Sequence, residues 1–158
     1  MRAPKIYLET TMFNHYFDED REAHADTVAL FKEIESGKHE AYTSTYVIDE
    51  LDEANEPKRS QMLSLIKKYS IILLDADVKA LDLADVYVNN GVIPAKYRYD
   101  GLHIAIAAIN DLEYIFSLNF RHINRQKTKA MTAYINISKG YKPINICSPM
   151  EVIEHEEE

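Results

Sequence analysis

Five short apolar segments occur along the chain, separated by longer stretches in which apolar residues repeat every three or four positions. Short apolar runs are typical of buried strands, and the longer periodic stretches are typical of amphipathic helices. The predicted strands are residues 5–8, 40–43, 71–74, 114–118 and 144–147. The predicted helices are residues 21–35, 45–54, 57–69, 77–89, 99–110 and 124–138. This alternation predicts an α/β fold with a mostly parallel sheet of about five strands, covered by helices on both faces.

The last two predicted helices should be buried to different extents. Residues 99–110 are apolar on almost every side, so we expect this helix to be enclosed by the rest of the fold. Residues 124–138 are polar and basic on one face, and the other face should pack against the core. The apolar side chains on that second face are Ala130, Met131, Tyr134 and Ile137.

Length and composition fit one domain of ordinary globular character. The chain has 158 residues, of which 46% are hydrophobic and 28% are charged. We expect residues 1–151 to form one domain and residues 152–158 to form a disordered acidic tail. No apolar run of about 18 residues occurs, so no membrane span is expected. The first residues lack the features of a signal peptide, and Cys147 is the only cysteine; both fit a cytoplasmic protein.

The net charge of −8 is unevenly distributed along the chain. Residues 114–150 contain no Asp or Glu but include six Lys and Arg side chains. A basic strip on an acidic protein can bind a polyanion such as RNA, and it can also be no more than a solvated helix face. The first interpretation assigns RNA-backbone contacts to Arg121, His122 and Arg125.

Side chains with oxygen ligands follow several of the predicted strands. Glu9 comes directly after the first strand, and Glu50 lies on the helix after the second. Asp100 opens the apolar helix 99–110, and Asn119 ends the fourth strand. Ligands of open α/β sheets bind at the carboxyl ends of the strands, so these four residues can converge on one cleft. Converging carboxylates repel each other, and oxygen ligands favour Mg²⁺ or Mn²⁺, which can activate water for phosphodiester cleavage.

Several of these residues also have a purely structural interpretation. Glu50 lies in an acidic run that is typical of a solvated helix face, Asp100 can be a helix N-cap, and Asn119 can be a turn residue. Glu9 has no such explanation, because a carboxylate directly after a buried strand does not lie on a helix surface. His103, three residues after Asp100, can bind a metal, form a hydrogen bond with Asp100 or, as the commoner case, be a satisfied core histidine.

Four segments resemble, in order, the four motifs of the PIN-domain nuclease family. Glu9 stands where the first motif usually has Asp, and Glu50 occupies the acidic position of the second. Asp100 matches the acid of the third motif, and Asn119 stands where one branch of the family carries Asn. The matching segments are residues 6–11, 42–51, 100–107 and 117–123, and residues 140–151 resemble the C-terminal end of that branch. Glycine-rich nucleotide-binding loops and the G-x-S-x-G hydrolase motif are missing from the sequence.

The resemblance implies a three-layer α/β/α fold and a Mg²⁺- or Mn²⁺-dependent endoribonuclease. It implies that Glu9, Glu50 and Asp100 hold the metal and that Asn119 orients metal-bound water or a phosphate oxygen. Many small members of the family are toxins of the VapC type, each held by a cognate antitoxin protein. Small PIN proteins also commonly form homodimers.

Two departures from the family pattern leave other functions open. Glu9 is one methylene longer than the usual Asp, so its carboxylate reaches farther or must fold back. Asn119 is neutral where many members have a fourth acid, and fewer negative charges mean weaker metal binding. The alternative is therefore a catalytically weak or inactive PIN-fold module that binds RNA or protein. A third possibility is a phosphohydrolase or a nuclease that acts on DNA.

Overall fold

All five predicted strands are present in the computed structural model, which describes residues 2–118 and 125–153. The strands are β1 (Lys5–Leu8), β2 (Glu40–Ser44), β3 (Ile72–Leu74), β4 (Tyr114–Phe116) and β5 (Asn145–Cys147). Their order across the sheet is β3-β2-β1-β4-β5, and all four pairings are parallel. The predicted α/β fold with a parallel sheet of about five strands is confirmed.

Seven α-helices lie in the described part of the chain. They are α1 (Thr10–Phe17), α2 (His24–Glu35), α3 (Thr45–Asp52), α4 (Lys58–Lys68), α5 (Val78–Asn89), α6 (Arg98–Ile109) and α7 (Gln126–Ser138). The sequence pattern predicts all of them except α1, whose Thr, Phe and Tyr residues are more typical of strands. Gly37 and Gly91 follow α2 and α5 with φ of 85° and 71°, the left-handed conformation that ends a helix most easily at glycine.

The middle strand β1 organises the core. Ile6, Tyr7 and Leu8 are fully buried, and Tyr7 contacts His103 of α6. Helix α6 packs along α5, while α1 contacts α2, α3 and α4. Helix α6 packs closely against Ile93 at Gly101, where a Cβ atom would lie only 3.1 Å from Ile93 Cδ1. These helices and the sheet form the three-layer α/β/α arrangement that the resemblance implied.

Helix α7 is rotated relative to the sequence prediction. Met131, Tyr134 and Ile137, which the apolar pattern assigned to the core, are exposed, and Thr132, Ile135 and Asn136 are buried instead. The physical reason is a tertiary contact, since the buried Tyr87 hydroxyl of α5 donates a hydrogen bond to Asn136 Oδ1. A buried tyrosine hydroxyl needs a hydrogen-bond partner, so the face of α7 that carries Asn136 packs toward the core.

The C-terminal boundary of the domain lies beyond the predicted residue 151. Val152 and Ile153 pack against the core, so the predicted disordered tail does not begin at residue 152. Residues 154–158 lie outside the described residues. Among the described helices, none has both the length and the apolar character needed to span a bilayer.

Candidate functional site

Glu9 lies at the carboxyl end of β1 and caps α1. The Thr11 backbone N–H, the Thr11 hydroxyl and the Ser117 hydroxyl donate to Glu9 Oε1 over 3.0, 2.5 and 2.8 Å. Glu9 is 5% exposed, and within the described ranges no hydrogen bond reaches its second oxygen, Oε2. Glu9 therefore has a structural task that the sequence did not indicate, and Oε2 stays available for another partner.

Three buried side chains and the exposed Glu50 form a chain of hydrogen bonds that connects β1, β2, α3 and α6. The hydroxyl of Tyr7 lies 2.7 Å from Ser44 Oγ and 2.6 Å from His103 Nδ1, and His103 Nε2 lies 2.8 Å from Glu50 Oε1. A carboxylate only accepts, so His103 Nε2 carries a proton; in the neutral ring Nδ1 then accepts from Tyr7, and Tyr7 accepts from Ser44. Ser44 Oγ in turn accepts from the backbone N–H of Val47 over 3.3 Å. One set of proton positions satisfies every group in this relay.

The two carboxylates have opposite electrostatic character. Burial raises the pKa of Glu9, and the charge of His103 with the hydrogen bonds of Thr11 and Ser117 offsets only part of that rise. For Glu50, partial burial raises the pKa, but the hydrogen bonds from His103 and Thr10, together with the attraction of His103 when its ring is protonated, outweigh it, so the pKa is lowered. Glu50 is thus the more readily ionised acid, while ionised Glu9 needs a positive partner.

Glu9, Glu50 and His103 form a compact group whose ligand atoms all lie within 4.8 Å of one another. Both ring nitrogens of His103 are engaged in hydrogen bonds, so its geometry suits orienting Glu50 rather than binding a cation directly. The remaining donors are carboxylate oxygens, which suit Mg²⁺ or Mn²⁺. The buried Thr10 hydroxyl lies beside Glu50 and helps to lower the pKa of that carboxyl. These residues fit a divalent cation.

Asp100 lies near this group but not within it. It occupies the first turn of α6, which begins at Arg98, so it is not the N-cap of that helix. A cavity of about 450 Å³ opens beside Glu50, and Asp100 forms part of its wall. The other lining residues are Tyr46, Asp49, Glu53 and Tyr99. The assignment of Asp100 as a metal ligand stays a prediction.

The predicted RNA contacts are only partly within the described chain. Asn119, Arg121 and His122 lie outside the described residues, so their roles stay predictions. Arg125 is exposed immediately before α7 and does not line the cavity beside Glu50, which we call the acidic cavity.

Sequence reasoning missed the residues that hold the carboxylates in place. Tyr7, Ser44 and Ser117 act through hydrogen bonds to residues far away in the sequence. Thr11 binds Glu9 two positions away and also accepts from the distant Leu118. A signal existed for Tyr7 and His103, because each is a polar side chain within an otherwise apolar buried segment and must find a partner.

The chain shares its fold with solved structures, although no family model matches it and no curated protein matches it in sequence. One such structure is VapBC2 from Rickettsia felis bound to a DNA fragment from its promoter. It has 12% identity and a TM-score of 0.54, and the match covers 91% of this chain and 98% of that one. Another is DNA-bound VapBC from Salmonella typhimurium, with 15% identity and a TM-score of 0.56, covering 93% of this chain and 99% of that one.

The fold is PIN-like. At 12% and 15% identity the likeness concerns the fold alone, and it extends over nearly the whole length of both chains. The resemblance seen in the sequence is therefore confirmed at the level of the fold.

Proposed function

We propose that this protein is a Mg²⁺- or Mn²⁺-dependent endoribonuclease that acts as the toxin of a toxin–antitoxin pair. The observation that carries the proposal is the convergence of Glu9 and Glu50 at the carboxyl edge of a parallel sheet. The PIN-like fold, shared with chains of VapBC complexes, supports a nuclease rather than an unrelated use of the two acids.

The carboxylates of Glu9 and Glu50 would hold the cation, with Asp100 as the third acid. A bound divalent cation supplies a polarised phosphate oxygen and an activated water in such sites. Thr11 and Ser117 fix Glu9 Oε1, and Oε2 accepts no hydrogen bond from the described residues, so it would be the oxygen that binds the cation. His103 holds Glu50 in one orientation, and the Tyr7–Ser44 relay holds His103. Asn119 would orient the attacking water or a phosphate oxygen.

The acidic cavity beside Glu50 would receive the nucleotide next to the cleaved bond. Tyr99 is 64% exposed on its rim, and Tyr46 lines the same cavity. Exposed aromatic rings next to a nuclease site can stack on unpaired bases, and each stacked base contributes about 1–3 kcal/mol. Arg121, His122 and Arg125 would contact the RNA backbone beyond this cavity.

A cognate antitoxin would control this activity in the cell. Two solved structures that share the fold are complexes of VapBC bound to DNA. A basic antitoxin side chain placed among Glu9, Glu50 and Asp100 would neutralise the acids and exclude the cation. We place this toxin in the cytoplasm, where its RNA substrate is, and expect it to form a homodimer.

A cleavage assay tests the proposal directly. Purified protein is incubated with a pool of single-stranded RNA with Mn²⁺, with Mg²⁺ or with a chelator, and Glu50→Gln serves as the inactive control. We expect cleavage with either metal, none with chelator, and none by Glu50→Gln. Expression of the wild-type chain alone should arrest growth, whereas Glu50→Gln should not. Metal-independent cleavage, or equal cleavage by both proteins, would contradict the proposal.

A non-catalytic PIN-fold module that binds RNA or protein is the second candidate. One observation favours it: both carboxylates already have structural partners, since Glu9 caps α1 and Glu50 binds His103. In that case the wild-type protein would bind RNA or a partner protein with no metal-stimulated cleavage of any RNA pool.

A further inference from the structure

A second cavity borders Glu9 through Thr11, which lines it and binds the Glu9 carboxylate. Its volume is about 400 Å³, and residues of α1, of the α1–α2 connection and of the start of α4 line it. Thr11 and Leu118 form the border with the acid group: the Thr11 hydroxyl donates to Glu9 Oε1 and accepts from the Leu118 backbone N–H over 2.9 Å. A molecule bound at Glu9 can therefore extend directly into this second cavity.

The two cavities have opposite charge. Four carboxylates and no basic side chain line the acidic cavity among the described residues. The second cavity contains Arg21, Lys58 and His15 against the single carboxylate of Asp18. On a chain with a net charge of −8, a concave site with more positive than negative groups is a favourable place for an anion.

The positive groups of this cavity converge on one point. Arg21 Nε lies 2.9 Å from Asp18 Oδ2, and the pKa of Asp18 is lowered by this hydrogen bond and by the charges of Arg21, Lys58 and His15. The neighbouring Arg59 is held by Asp52 and Glu56. Lys58, in contrast, forms no ion pair with any residue in the ranges 2–118 and 125–153.

We propose that this cavity binds a backbone phosphate of the RNA strand, next to the phosphate held at Glu9 and Glu50. Lys58 is the main phosphate contact, and Arg21 is the second one once the anion competes with Asp18. This inference rests on the proposed function for the identity of the anion as RNA. It adds a phosphate site outside residues 114–150, where the charge distribution of the sequence indicated the RNA surface. The strand would then cross Glu9 from the acidic, tyrosine-lined cavity into the basic one.

RNA binding without cleavage tests the site. The probe is a short fluorescent single-stranded RNA of random sequence in the presence of chelator, titrated by anisotropy between about 50 and 200 mM salt. Lys58→Gln should weaken binding roughly three- to ten-fold and reduce the log–log salt slope by about 0.7, the value for one lost phosphate contact. Lys67→Gln, an exposed lysine in the last turn of the same helix, is the matched control and should change neither quantity.

Asp18→Asn gives a prediction of the opposite sign. Asp18 is the one carboxylate among the described residues that line the cavity, so its removal frees Arg21, and affinity for the RNA should rise by a similar factor. A gain in binding cannot result from misfolding, which protects the test against a damaged variant. Equal affinity and slope for Lys58→Gln and Lys67→Gln, or weaker binding by Asp18→Asn, would overturn the proposal.

Parallel cleavage measurements with Mn²⁺ separate this inference from the nuclease proposal. Wild-type protein that binds RNA through Lys58 but never cleaves it would contradict the nuclease and support the phosphate site. Cleavage that is insensitive to Lys58→Gln, together with unchanged RNA affinity, would support the nuclease and refute the phosphate site. Wild-type protein that does not bind the RNA at all would refute the phosphate site as well.

Discussion

Replacing Glu9 by glutamine should separate the two tasks of this side chain. All three hydrogen bonds that fix Glu9 end on Oε1, and a glutamine amide oxygen at the same place can accept all three. The amide nitrogen then takes the place of Oε2, which removes the negative charge and the ligand oxygen. The cap of α1 should survive in Glu9→Gln, and the metal site should not.

Glu9→Ala measures how much the hydrogen bonds of Glu9 contribute to the free energy of unfolding. Loss of a helix cap costs about 1 kcal/mol, and a buried donor left without an acceptor costs about 1–3 kcal/mol. We therefore expect Glu9→Ala to lose roughly 2–4 kcal/mol. For a chain of this length this corresponds to a fall in Tm of roughly 5–15 °C. Glu9→Gln should show no such fall.

The pH dependence provides a sharper comparison. The folded-state pKa of Glu9 is raised by burial, so the protonated form stabilises the fold. That stability is complete below the unfolded-state pKa and is lost as the pH rises through the folded-state pKa. Glutamine cannot ionise. In chelator, the Tm of Glu9→Gln minus that of the wild type should therefore increase as the pH rises from about 4, the ordinary range of a glutamate, through the raised folded-state pKa of Glu9.

Thermal unfolding of the three proteins, with and without Mn²⁺, is the assay. Mn²⁺ should raise the Tm of the wild type by mass action but not that of Glu9→Gln. Cleavage by Glu9→Gln should fall on the order of 100-fold or more, since even outer-shell metal partners are worth about 10–100-fold. If Glu9→Gln is as unstable as Glu9→Ala, or if its Tm advantage shrinks as the pH rises, the reasoning about Oε1 and burial is wrong.

Three further predictions follow from the site and the core. Tyr7→Phe leaves His103 and Ser44 without their shared hydroxyl, so urea unfolding should show a loss of about 1–3 kcal/mol, with reduced cleavage at unchanged RNA affinity. Asp100→Asn is isosteric and half-buried, so circular dichroism should show an intact fold while metal binding and cleavage are lost; wild-type cleavage by this variant would remove Asp100 from the site. Burial raises the pKa of the Cys147 thiol to about 12, so iodoacetamide at neutral pH should label it only after unfolding, and rapid labelling of the native protein would contradict its placement.

The sheet could be predicted from the sequence because each strand is a separate local signal. β1 was predicted to the residue, and the other four strands differ by one or two residues at their ends. Local patterns fail where a distant partner decides the outcome. The face of α7 depends on Tyr87, which lies 49 residues before Asn136 in the sequence, and no periodicity within the helix contains that information.

Helix α1 and the candidate site illustrate the same limit. The N-cap of α1 is Glu9, whose Oε1 accepts from the Thr11 backbone N–H and from Ser117. The same side chain therefore starts the helix and belongs to the candidate site. The positions of Glu9, Glu50 and Asp100 after strand ends could be anticipated from the rule for parallel sheets. The support of Glu50 by His103 could not, because it depends on how α3 and α6 pack.

The position of β1 between β2 and β4 also sets the order in which this molecule can be completed. Glu9 is synthesised early, but its hydrogen-bond partner Ser117 follows 108 residues later, and the contact between Tyr7 and His103 spans 96 residues. At about 5–20 residues per second, the ribosome needs roughly 5–20 s to bridge the first of these distances. During that interval β1 lacks one of its two neighbours, and the acids at its end have no fixed geometry. Under the proposed function, the growing chain would be inert toward the messenger from which it is translated, and an antitoxin would have those seconds in which to bind first.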